Sequence, residues 1–429
     1  MAKVSDRERV AHVVRRLSMG AHPDMVAALA DPDAAVAAAL DLSAPPAAPY
    51  ELAPPADVRE RRISEIAGPI TWWVEQMRSS PRLVEERLVW FWHDHFATSL
   101  AKVRVPYLLY QQHLTIRRHA TGSFADLLRA VAKDPAMLLY LDGVTNAAGQ
   151  VNENFGRECL ELFTLGIGGG YTQDDVVEAS RAFSGWVVNV PRPRFRRDDV
   201  RLWGAYFVPR RHDGGEKTLL GVTGNHDMDA ALDVILDQPA TGRFVASKLY
   251  RELVGVEPDE ATAIRLGDRF RNDYAILGLV ESIVAEAAFT DDDAVRAKAR
   301  TPVEKVVGLL QAVPGAALEL GGRVESRNGI SATGQALRAV GYIPFVPPNV
   351  GGFLGGESLL GPHQLVHTFD LLAAVAAAPD AAFTDDVDAL FARFGVFDMT
   401  ERSRDVVAGE RDPGRRLALV FTSPEYAVA

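Results

Sequence analysis

The sequence predicts a mainly α-helical protein, a multi-helix globular array with one small inserted β-hairpin. Three observations carry this expectation: apolar residues recur at helical spacing through most of the chain, capping residues, glycines and prolines punctuate those stretches, and β-rich runs are confined to about 186–209.

From the N-terminus, Asp6 to Leu17 places Val10, Val13, Val14 and Leu17 on one helical stripe, and Ser18-Met19-Gly20 ends it with a glycine suited to a left-handed cap. Asp24 to Leu42 is rich in Ala, Leu and Val and reads as helix again. Ser43-Ala-Pro-Pro-Ala-Ala-Pro and Ala53-Pro-Pro then form an extended linker. The expected organisation is an N-terminal helical segment at 1–42, a Pro/Ala-rich connector at 43–56 and a main helical domain at 57–429. Helical interleaving of apolar and charged residues runs from Asp57 to Ser99 and continues through Pro106 to Ala120 and Ser123 to Ala132. Val151 to Gly166 is a further helix, closed by Gly168-Gly169-Gly170. Thr172 and Asp175 then make a capping-box-like start for the helix that runs to Ser184.

The hairpin is expected where Trp186-Val-Val-Asn-Val and Val200-Arg-Leu-Trp-Gly-Ala-Tyr-Phe-Val flank Pro191-Arg-Pro-Arg-Phe-Arg-Arg. Helical periodicity returns after Gly221, through Met228 to Leu236, Gly242 to Leu253 and Glu260 to Asp273. Loops are expected at Asn328 to Gly334 and Gly341 to Gly361, the second too rich in Pro and Gly for regular structure and packed by its aromatics.

Composition narrows the function classes. In 429 residues, 46 Lys+Arg against 57 Asp+Glu give a net charge of −11, which opposes generic binding to nucleic acid or anionic lipid. A single cysteine, Cys159, excludes an internal disulfide and every multi-cysteine metal cage. The polar N-terminus has no signal-peptide stretch, and apolar runs such as Leu371 to Ala378 fall far short of the ~20 residues that span a bilayer, so a cytoplasmic protein is expected.

The densest polar stretch is Asn152-Glu153-Asn154-Phe155-Gly156-Arg157-Glu158-Cys159-Leu160-Glu161-Leu162. At about 100° per residue, Glu153, Asn154, Arg157, Glu158 and Glu161 share one face, with Phe155, Cys159, Leu162 and Phe163 opposite. That face is either a solvated surface with i,i+4 ion pairs or a carboxylate cluster for metal binding or acid/base chemistry, with Arg157 as an anion clamp. Trp90-Phe91-Trp92-His93-Asp94-His95-Phe96 offers His93 and His95 as metal ligands, or as core histidines hydrogen-bonded in an aromatic cluster; Asp94 would orient a ligand imidazole. His212-Asp213-Gly214-Gly215-Glu216-Lys217 reads as a tight turn, with Lys217 able to hold an anion, and Asp227 as a helix cap. Arg192, Arg194, Arg196, Arg197 and Arg201 make a basic hairpin tip. Cys159 falls on an apolar face and suits a core role.

In these motifs the chain resembles the large bacterial family called domain of unknown function eighteen hundred. The matching stretches are Val13-Val-Arg-Arg-Leu-Ser-Met-Gly, Phe91-Trp-His-Asp-His-Phe, Asn152-Glu-Asn-Phe-Gly-Arg-Glu-Cys-Leu-Glu-Leu-Phe, Gly170-Tyr-Thr-Gln-Asp-Asp-Val, Arg181-Ala-Phe-Ser-Gly-Trp, His212-Asp213, Lys217-Thr-Leu-Leu-Gly, Ala246-Ser-Lys-Leu-Tyr-Arg-Glu-Leu-Val and Pro347-Pro-Asn-Val-Gly-Gly. Asp94 stands where asparagine is more usual, and Met19 where phenylalanine is. The resemblance implies a functional role for the polar motifs and leaves the reaction open.

The expectation is a polar pocket holding a divalent metal, Zn, Mn or Fe. Candidate ligands are His93, His95, Glu158, Glu161, His212 and Asp213, and candidate catalytic groups are Glu153, Arg157, Glu158, Glu161 and Lys217. Hydrolytic or oxidative chemistry on a small or anionic substrate would follow. The alternatives are a helical scaffold or binding protein whose charged network is structural, and an acid/base enzyme that uses the same carboxylates without a metal.

Overall fold

The computed structural model describes residues 4–57, 62–191, 198–313, 342–362, 366 and 386–428. The Ser5 hydroxyl caps α1 (Asp6–Leu17) by accepting from the Glu8 amide at 3.2 Å, and the stripe from Val10 to Leu17 is buried. The next helices are α2 (Pro23–Ala28) and α3 (Pro32–Leu40), both packed on α1. The connector then crosses the body without regular structure, pinned by indole donors. Trp72 Nε1 donates to the Ala48 carbonyl at 3.1 Å and Trp203 Nε1 to that of Pro55 at 2.8 Å, while the Tyr50 ring meets Tyr110 edge-on.

The helical interval expected at 57–99 divides into α4 (Ala67–Ser79) and α5 (Leu83–His95) because Pro81 forces Ser80 into extended backbone, at ψ 132°. After them come α6 (Leu100–Val103), α7 (Pro106–His119), α8 (Phe124–Ala132) and α9 (Pro135–Tyr140). The helix expected at 151–166 begins later, as α10 (Asn154–Glu158), and widens into a π-helical turn over Cys159–Thr164. There the Leu165 amide reaches back five residues to Leu160, and the Thr164 hydroxyl donates to the Cys159 carbonyl at 2.6 Å. The capping box at Thr172 and Asp175 opens α11 (Gln173–Ala182) as expected.

The expected hairpin is present as β1 (Trp186–Val188) antiparallel to β2 (Ala205–Phe207), with Trp186 opposite Phe207. Residues 192–197, with Arg192, Arg194, Arg196 and Arg197 of the basic tip, lie outside the described residues. A second ribbon that periodicity did not announce pairs β3 (Lys217–Leu219) with β4 (Val222–Gly224). Its two-residue turn has both Leu220 and Gly221 at positive φ, 50° and 81°, which matches the twist of a tight hairpin.

Asp227 caps α12 (Met228–Leu236), and α13 (Pro239–Val254), α14 (Glu260–Arg271) and α15 (Ile276–Val284) pack on one another. Then come α16 (Pro302–Ala312), α17 (Val387–Arg393), α18 (Glu401–Gly409), α19 (Pro413–Phe421) and α20 (Pro424–Ala427). The loops and runs expected at 328–334 and 371–378 lie outside the described residues. The Pro/Gly-rich stretch at 342–361 is mostly irregular, with one short 3-10 turn, and is packed by its aromatics, Tyr342 stacking on Phe353 at 4.8 Å. One apolar core links α1 to helices throughout the chain. Among the described residues no helix is long and apolar enough to cross a membrane.

Candidate functional site

The polar motifs settle into three places. His93 and His95 project from the end of α5 into the aromatic core, each at 3% exposure. His93 Nε2 accepts from the Phe345 amide at 3.1 Å, between the rings of Trp73 and Phe345, and burial pushes its imidazole down to about 3. His95 Nε2 lies 3.0 Å from the Phe163 carbonyl at the end of the π turn, as the donor to that oxygen, and burial holds this ring well below the ordinary histidine value. The Cys159 thiol on the same turn is fully buried and pushed up to about 12.

On the outer side of that helix, Glu153 and Glu161 share Arg157, with Gln173 of α11 joining them. Arg157 Nη2 donates to Glu153 Oε2 at 2.8 Å and to Gln173 Oε1 at 2.9 Å, and Nη1 reaches Glu161 Oε1 at 3.4 Å. Partial burial and the neighbouring Glu161 hold Glu158 above the usual carboxylate range.

The His212-Asp213 turn closes a clasp. Asp213 takes a two-pronged bond from Arg181, at 2.8 and 3.1 Å, which holds its carboxyl down at about 2; its amide donates to Ser184 Oγ at 2.8 Å. Lys217, 1% exposed, donates to the Asp213 and Gly215 carbonyls at 2.6 and 2.9 Å. Among the described residues, no hydrogen bond or ion pair joins the side chains of these three places. No group of three or more His, Cys, Asp or Glu there is placed to hold a metal ion.

A different assembly has the form of a ligand site. A cavity of about 440 Å³ is walled by Trp90 and Asp94 of α5, Lys248, Arg251 and Glu252 of α13, Lys298 and Thr301 before α16, and the loop from Tyr342 to Gly356. The spacing 248, 251, 252 puts three charged side chains of α13 on one helical face. The loop is pressed against Asp94: the Phe353 amide donates to Asp94 Oδ1 at 2.7 Å, and Gly352, at φ 95°, passes so close that a Cβ there would lie 2.4 Å from that oxygen. Phe353 also stacks on Trp90 at 5.4 Å.

The charges of the cavity divide into held and unheld. Lys298 bonds Glu252 Oε1 at 2.5 Å, and Arg87 below it bonds Glu252 at 3.0 Å and Glu304 at 2.6 Å. Lys248 has no hydrogen bond or ion pair among the described residues; its ammonium sits 5.5 Å from the Phe244 ring, with the Asp94 charge in range. Burial lowers Lys248 to about 8 and raises Asp94 to about 6.

Of these residues the sequence singles out Asp94 alone, as an orienting carboxylate. The signal for the others was the i, i+3, i+4 spacing within Ala246-Ser-Lys-Leu-Tyr-Arg-Glu-Leu-Val, one of the stretches that carry the family resemblance. Three such stretches, containing Asp94, Lys248 and Gly351, meet at this cavity.

No curated protein matches the chain, and no solved structure does. One family model matches residues 12–428, and on that extent the chain belongs to the family described as Protein of unknown function (DUF1800).

Proposed function

We propose that the cavity between α5, α13 and the 342–356 loop is the active site of an enzyme that transfers protons on a small anionic substrate, with Asp94 and Lys248 as the exchanging pair. The observation that supports it is an amine without an acceptor beside a carboxyl in a cavity of about 440 Å³. With Asp94 near 6 and Lys248 near 8, one group sits on each side of neutrality, where a base and an acid are both competent. Lys248 has no ion-pair partner among the described residues, while Arg251 and Lys298 are paired with Glu257 and Glu252 and keep further N–H donors that suit an anion; Trp90, Tyr342 and Phe353 give its carbon body an apolar wall. The second reading, a structural charged network, is favoured around Glu153, Arg157 and Glu161, whose charges answer one another.

The test needs no known product. A panel of small oxo- and hydroxy-acids is followed in D₂O by proton NMR for exchange of the hydrogens next to the carbonyl or carboxylate. The expectation is exchange accelerated by wild type and reduced about 100-fold or more in Asp94→Asn and in Lys248→Met. Exchange equal in all three proteins, with the fold verified by circular dichroism, overturns the assignment.

A further inference from the structure

Resting on that reading of the cavity, we propose that Lys248 is a nucleophile that forms an imine with a small aldehyde or ketone carrying an anionic group. The geometry separates this lysine from the others described. Lys102 and Lys133 are held by Asp142 and Asp229, Lys217 by two carbonyls, and Lys298 by Glu252. Lys305 is buried at 2% exposure and does not line the cavity. Lys248 alone combines an amine with no hydrogen bond or ion pair among the described residues, lying over the Phe244 ring at 5.5 Å, with an opening onto a space that admits a substrate.

The adjoining carboxyl supplies the proton traffic such a reaction needs. The Lys248 ammonium first gives a proton to the Asp94 carboxylate; the freed amine adds its lone pair to the carbonyl carbon, and the carbonyl π pair moves to oxygen, which takes that proton back from Asp94. The nitrogen of the tetrahedral adduct gives up one proton to the Asp94 carboxylate. Asp94 then returns a proton to the hydroxyl, which leaves as water while the nitrogen lone pair closes the C=N bond. The sum is one carbonyl and one ammonium giving one protonated imine and one water, with no change in oxidation state. Arg251 and Lys298 line the same walls, each with an acid partner, Glu257 at 2.6 Å and Glu252 at 2.5 Å, and their remaining N–H donors would meet the anionic end. The loop contact through the Phe353 amide fixes which Asp94 oxygen is occupied and leaves the other for the reacting group.

The experiment uses the full chain with glyoxylate, an aldehyde that carries a carboxylate, and cyanoborohydride to trap the imine, read by intact mass and peptide mapping. The expected result is an adduct on Lys248 that forms at least ten times faster than on Lys102 or Lys133. Lys248→Arg should lose it, and Asp94→Asn should form it at least tenfold more slowly. Labelling of Lys248 at the rate of the surface lysines overturns the imine. If carbon-bound hydrogen exchange still depends on Asp94 and Lys248 in that case, the proton-transfer reading stands without it; if the exchange also fails, the cavity is not an active site. Unchanged labelling in Asp94→Asn overturns the role given to that carboxyl.

Discussion

The face at Glu153, Arg157 and Glu161 and the cavity at Asp94 and Lys248 are both rich in charge, and they are built in opposite ways. The first comes from one helix, where i,i+4 spacing gives each acid the same arginine and the set is neutralised locally and in partial contact with water. The second gathers side chains from α5, α13, the approach to α16 and the 342–356 loop, segments spread over more than 250 positions, and the Lys248 charge has no ion-pair partner among the described residues. Density of polar residues in a sequence therefore marks a surface that can satisfy itself; unmet chemistry arises where distant segments leave a group no neighbour to answer it.

The largest effect that would break this contrast lies beneath the cavity. Arg87, 1% exposed, bonds Glu252, Glu304 and the Arg15 carbonyl, so Arg87→Met takes the arginine from the buried Glu304 carboxylate and should cost about 3–5 kcal/mol in denaturant unfolding. A loss under about 1 kcal/mol would mean that the ionic floor is dispensable. Next comes Gly352→Ala, which places a methyl against Asp94 at positive φ; a destabilisation of about 2 kcal/mol is expected, with the near-8 lysine titration in ¹³C NMR displaced as Asp94 moves.

Asp94→Asn should act in the opposite direction. A carboxyl raised from 3.8 to about 6 in the folded chain adds nothing unfavourable below pH 3.8 and opposes folding fully above about 6. The variant should thus be more stable than wild type by about 1–2 kcal/mol at pH 7, after discount for partial exposure, with the two curves of melting temperature against pH meeting near pH 4. A constant offset at every pH would contradict the titration. The smallest effect belongs to the helix face. With Arg157 at 35% side-chain exposure and its acids at 39% and 25%, Arg157→Ala should shift stability by no more than about 1 kcal/mol and less in high salt, and it should leave the cavity's lysine titration where it was.

What the sequence disclosed follows the range of the interaction involved. Caps at Thr172 with Asp175 and at Asp227 were legible because donor and acceptor lie three residues apart. The hairpin at Trp186 was legible from its β-branched and aromatic run; the ribbon at Lys217 was not, since Lys217-Thr-Leu and Val222-Thr-Gly carry no such run. Periodicity gave no sign of the widened turn after Glu158, across which the Thr164 hydroxyl reaches back to the Cys159 carbonyl. At the cavity, Asp94 stood out through its histidine neighbours. Lys248 did not, because a lysine is remarkable only for what fails to surround it, and that is decided by tertiary packing.

The bond from the Phe353 amide to Asp94 spans 259 positions of chain. During synthesis, then, α5 and α13 leave the ribosome long before the wall that closes over them, and Lys248 is at that stage an ordinary hydrated amine. On the imine proposal, reactivity would switch on only when the 342–356 loop docks on α5, which would spare the nascent chain from adducts with aldehydes and leave any product shortened before that loop chemically silent.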